Sequence, residues 1–166
     1  MKLIAVVLLV FSLVSCGSVI RTDYMQQGTR NPSLAALIQD PDMQRDRLFI
    51  LGGVIARTTL KADGSQIEAL FVPVDSLGYP QGAVPSSQRF LALYPREQGI
   101  LDPLIYQKNR RITIAGVFTG VVRGKVDEME YVFPMFRITQ VYLEPKRPAA
   151  VYYYYPAWWG YPGGPW

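Results

Sequence analysis

Apolar positions follow three different patterns along this chain. Leu3 to Phe11 is one unbroken apolar run behind a single positive residue, Lys2. It is too short for a membrane span of about 20 residues and fits the apolar region of a signal peptide. From Gly17 to Thr29 the sequence is polar and shows no period, which predicts a flexible tether over residues 16–30. Asn31-Pro32-Ser33 then reads as a helix start, with Asn31 as cap and Pro32 at the first helical position, where no N–H is needed. Leu34, Leu37 and Ile38 line one face of that helix, which should stop before Pro41.

Beyond Arg47 the pattern turns β-like. Leu48 to Leu60 is a β-rich run interrupted by Gly52-Gly53, followed by a Lys61-Ala62-Asp63-Gly64 turn and a second run, Ile67 to Val74. Pro73 marks an edge or a bulge. Asp75 to Ser87 is rich in Gly and Pro and predicts a loop, and Arg89 to Tyr94 is a third strand. Leu101-Asp102-Pro103 opens a turn or helical segment through Tyr106. Arg111 to Arg123 and Tyr131 to Leu143 complete the set. Gly116, Gly120 and Gly124 fall at even spacing on the fourth strand, so strict alternation places all three on one face. Glycines there permit the coiling that closed barrels need. The expected fold is mainly β: a small antiparallel barrel, OB-like, of about five strands, with a short N-terminal helix and an irregular aromatic tail. A flat antiparallel sheet packed on the helix is the alternative.

Composition narrows the chemistry. Hydrophobic residues make up 49% of the chain and charged ones 18%, which supports a packed core. Histidine is absent, so imidazole-based triads and His-ligated zinc are excluded. A lone cysteine, Cys16, excludes an internal disulfide framework and a multi-thiolate metal site. Net charge is +4, and loss of Lys2 with the leader leaves +3. That suits an anionic membrane surface and not the clustered charge of a nucleic-acid binder.

Leu13-Val14-Ser15-Cys16 resembles the bacterial lipobox. The resemblance implies that residues 1–15 are cleaved and that the Cys16 thiol carries a covalent diacylglyceryl group, with no other cofactor. Each buried methylene adds about 0.8 kcal/mol, so several acyl chains hold a protein to a bilayer durably. Gly17 lacks the Asp that the sorting rule associates with inner-membrane retention, which favours the outer membrane of a Gram-negative cell.

Several segments together are similar to the Slp family of outer-membrane lipoproteins, named for starvation-inducible expression. They are Leu51-Gly52-Gly53-Val54-Ile55, Val72-Pro73-Val74-Asp75-Ser76, Gly99-Ile100-Leu101-Asp102-Pro103 with Tyr106, and Ile112-Thr113-Ile114-Ala115-Gly116 with Gly120. Tyr131 to Tyr142, with Pro134, continues the match. The family implies a lipoprotein facing the periplasm and associated with stationary phase and envelope stress. It supplies no catalytic site.

Three groups of residues carry candidate chemistry. Asp75 and Asp102 could pair for acid–base work, but each sits where an aspartate ordinarily accepts backbone donors in a turn, and no nucleophile motif accompanies them. Lys108, Arg110 and Arg111, with Arg123 and Lys125 near them, form a basic cluster suited to lipid phosphates or anionic glycans, or simply a solvated face. Tyr152, Tyr153, Tyr154, Tyr155, Trp158, Trp159, Tyr161 and Trp166 crowd a tail, residues 148–166, that carries no charged side chain. Such rings favour a membrane interface and also stack on sugars, as in lipopolysaccharide or peptidoglycan; alternatively the tail covers its own domain. The expected function is non-enzymatic binding or support in the envelope by a helix-plus-barrel domain, residues 31–147. The competing expectation is a periplasmic enzyme or small-ligand carrier with a cavity inside the barrel.

Overall fold

The computed structural model describes residues 17–82 and 86–146. In chain order its elements are α1 (Thr22–Gln27), β1 (Thr29–Arg30), α2 (Leu34–Gln39), β2 (Leu48–Lys61), β3 (Gly64–Val72), β4 (Arg89–Pro95), β5 (Arg111–Val126) and β6 (Met129–Leu143). Single 3-10 turns lie at Asp42–Gln44 and Arg96–Gln98.

One long strand closes the barrel. Leu48 to Val54 of β2 pairs antiparallel with β5, and Gly52 to Lys61 pairs antiparallel with β3. The order β2-β3-β4-β6-β5 therefore returns to β2, which is the OB-type Greek-key order. Four of the five seams are antiparallel, and the fifth, β4 against β6 at Leu91 to Leu93, is parallel. The barrel is mixed, not antiparallel throughout as expected. That seam joins strands far apart in sequence, and nothing in the local pattern sets its direction.

The strand runs unbroken through Gly52-Gly53. A Cβ on Gly53 would lie 2.9 Å from the Ala69 Cβ and 3.0 Å from the Phe90 ring, so the glycine admits a close internal approach and does not interrupt the strand. Two β-bulges, in β2 and β5, reset alternation elsewhere, and a third irregularity makes Thr139 of β6 extra opposite Ala115 and Gly116. One makes Ala56 an extra residue between Ile55, opposite Ala69, and Arg57, opposite Glu68. The other makes Thr119 extra between Phe118 and Gly120. The second overturns the expected common face of the three glycines. Gly116 faces Phe136, whereas the positions of missing Cβ atoms on Gly120 and Gly124 lie against Arg45 and Phe133. Gly120 has φ +129°, a conformation that glycine adopts without strain.

Inside, Phe136 is in contact with three other rings, with centroids 5.5 Å from Phe118, 5.8 Å from Phe90 and 6.1 Å from Phe49. Leu51, Ile55, Ile67, Ile112, Ile114 and Ile138 fill the space around them, and α2 adds Leu34 and Leu37. The interior that a carrier would need as a cavity is occupied by these side chains. Tyr106 packs at the margin of this core, and burial pushes its phenol up from the ordinary 10.0, so it is a protonated cover there.

The segment expected to be a tether is instead folded from Ser18 onward. Ile20 is 1% exposed and packs with Ile50, Val74 and Ala115, while Val19, Tyr24 and Met25 flank it. β1 adds a parallel rung to β2 at Phe49 and Ile50. The reason lies in β2 and not in the segment: its run Phe49-Ile50-Leu51 is apolar on both faces, and the outer face must be covered. Asn31 does not cap α2. It adopts φ +53°, and its side-chain amide donates to the Val74 carbonyl at 2.9 Å and accepts from the Val74 N–H at 2.7 Å. Ser33 is the cap, accepting from the Ala36 N–H at 3.3 Å, and the helix ends before Pro41 as expected.

Candidate functional site

The outer face of β2, β3 and β4 carries a depression rich in charged side chains. The bulge at Ala56 creates it. With strict alternation Arg57 would follow Ile55 to the inside; the extra residue turns it outward, directly across from Glu68. Glu68 accepts from Arg57 at 3.1 Å on one carboxylate oxygen and from Arg89 at 2.6 Å on the other. Its side chain is only 8% exposed, beneath an Arg57 that is 69% exposed. The carboxylate is thus the floor on which two guanidinium groups are held.

Two connections bring further charge to the same place. Asn109, at φ +68°, donates its N–H to the Ile55 carbonyl, and Ile55 donates back to Arg110, which docks Lys108 and Asn109 beside the bulge. The β5–β6 hairpin contributes Lys125, Val126 and Asp127 near its two-residue turn. The Arg89 N–H donates to the Tyr131 hydroxyl at 2.9 Å and ties this hairpin to β4. The resulting open cleft has a volume of about 590 Å³ and is lined by four cations, Arg57, Arg89, Lys108 and Lys125, against two carboxylates, Glu68 and Asp127.

The basic cluster read from the sequence is therefore divided. Lys108 and Lys125 both line the cleft. Arg110 is spent on the carbonyls of Ile105 and Glu144, at 3.3 and 2.8 Å. Arg111 lies 3.1 Å from the Glu144 carboxylate and donates to the Gly82 carbonyl. Arg123 borders an adjoining groove beside Glu130 and Tyr131, which Lys125 also lines. The two aspartates serve turns. Asp75 accepts from the N–H groups of Leu77 and Tyr79 and from the Gln81 amide, and Asp102 accepts from the Leu104 N–H. Arg57, Glu68, Arg89 and Asp127 were not singled out in the sequence. Cys16 and the tail rings Tyr152, Tyr153, Tyr154, Tyr155, Trp158, Trp159, Tyr161 and Trp166 lie outside the described residues.

Comparison with known proteins bears on the whole chain. Residues 13–166 match the model of the family described as "Outer membrane lipoprotein Slp family". This chain belongs to the Slp family. An uncharacterised lipoprotein of Escherichia coli, YeaY, is 25% identical over 161 residues, covering 91% of this chain and 81% of YeaY. An uncharacterised protein of Haemophilus influenzae is 34% identical over 86 residues, which is 51% of this chain and 45% of that relative. No solved structure matches. This Slp-family lipoprotein thus folds as a filled OB-type barrel, and its described residues contain no group of three or more His, Cys, Asp or Glu placed to hold a metal ion.

Proposed function

We propose that this Slp-family chain is a lipid-anchored protein of the outer membrane, facing the periplasm, that serves the envelope by binding or structural support and not by catalysis. Cys16 carries the acyl chains in this reading, after removal of residues 1–15, and the aromatic tail meets the membrane interface or an envelope glycan. The observation that carries it is the filled barrel: Phe49, Phe90, Phe118 and Phe136 occupy the interior, and the polar groups converge on an open outer face. A surface of that kind recognises a partner without enclosing a substrate, whereas catalytic sites ordinarily need a cleft that excludes water. A role in starvation or stress follows from the family resemblance.

All three tryptophans lie in the tail, so their emission reports that segment alone. In a soluble form lacking residues 1–16, the emission is expected to be solvent-like. It should shift to the blue with vesicles of outer-membrane lipid or lipopolysaccharide, or with peptidoglycan fragments, and the responsive target names the partner class. Emission already blue and indifferent to every target would mean that the tail covers its own domain, and its role as a binding element would fall.

A further inference from the structure

The cleft holds more positive charge than its own carboxylates neutralise. Glu68 engages Arg57 and Arg89 with one donor of each. A guanidinium has five N–H donors, so both keep most of their capacity. Lys108 and Lys125 arrive from two different connections and form no ion pair with any described carboxylate. The residues outside the described set contain no Asp or Glu, so no acidic side chain there can serve them either. Four cations against two carboxylates line the cleft, and at its edge Glu130, opposite Lys125 in the hairpin, is offset by Arg123, so the excess stays at +2. Converging like charges repel, and the arrangement is relieved by an external anion.

The size of the imbalance selects the anion. A phosphate monoester carries about −1.5 to −2 near neutral pH and offers three acceptor oxygens, whereas a carboxylate or phosphodiester carries about −1. Guanidinium forks bind phosphate through paired hydrogen bonds, and lysines add point charges without fixed geometry. We propose that the cleft formed by Arg57, Arg89, Lys108 and Lys125, on the floor set by Glu68, binds a phosphate monoester borne on a saccharide or a lipid headgroup. This rests on the binding role proposed above and names its ligand chemistry. Arg57 and Arg89 grip the phosphate oxygens, Lys108 and Lys125 close over it from two sides, and Asp127 limits the site to one such group.

The test uses the full lipidated chain in phosphatidylcholine nanodiscs, titrated calorimetrically against protein-free nanodiscs. Its probes are glucose 1-phosphate, short-chain phosphatidic acid and short-chain phosphatidylglycerol. At least one of the two monoesters is expected to bind about tenfold or more tightly than phosphatidylglycerol, a diester. A K108Q/K125Q variant should weaken that binding about tenfold or more, and neither lysine makes an ion pair that the fold needs. Binding of glucose 1-phosphate alone assigns the ligand to soluble sugar phosphates; binding of phosphatidic acid alone assigns it to lipid headgroups; binding of both supports the shared chemistry. The proposal is overturned if neither monoester binds, if the diester binds equally well, or if the double variant keeps wild-type affinity. Membrane fractionation of the cells supplying the protein separates this from the anchoring: phosphate binding by a protein absent from the outer membrane would sink the anchoring and spare the site.

Discussion

Replacing Phe136 with Ala is expected to remove about 3–5 kcal/mol of stability, a large part of the roughly 5–15 kcal/mol typical of a domain. The ring is fully buried and touches Phe49, Phe90 and Phe118 at 5.5 to 6.1 Å between centroids. Its loss leaves a hole that the closed ladder of β5, β6 and β2 cannot collapse around, so both transfer and cavity costs apply. Urea unfolding reads the loss as a lowered midpoint at an unchanged slope. Val122→Ala, on an exposed part of β5, should stay within about 0.5 kcal/mol. A loss below about 1 kcal/mol for Phe136→Ala would mean that the interior is loosely filled, and the carrier reading would return.

The second large effect is all-or-none and concerns location. Cys16→Ser removes the thiol that lipidation needs, and with it every acyl chain. At about 0.8 kcal/mol per buried methylene, nothing on the folded domain replaces that anchor. The variant should lose palmitate labelling and disappear from the outer-membrane fraction, while the domain, whose packed core begins at Ile20, keeps its β-type circular dichroism. Persistence of the variant in that fraction would show that the tail or the cleft is the true anchor.

What the sequence made legible was the local part of this fold. The five long strands, the Ala62-Asp63 turn and the helix around Leu34 and Leu37 each follow from a period or a turn signal that a few neighbouring residues carry. The Arg57–Glu68 pair was legible too: Lys61 opposite Gly64 sets a hairpin register that brings Arg57 to Glu68. The burial of Glu68 was not, because its second guanidinium partner, Arg89, comes from a third strand. The bulges at Ala56 and Thr119 have no signature in residue type, yet each flips everything beyond it to the other face. Residues 18–30 fold because Ile50 and Ala115 leave an apolar outer face to cover, a demand made by β2 and β5 rather than by the segment itself. The parallel β4–β6 seam is likewise a product of closure.

In the function proposed here, the mature protein begins at Cys16 and is held to the membrane by lipid on that residue. The intact mass of the protein extracted from purified outer membranes tests it directly. The expected mass is that of a chain lacking residues 1–15, raised by a diacylglyceryl group on the thiol and an acyl group on the new amine. A mass equal to the unmodified polypeptide, or one that retains residues 1–15, would contradict it.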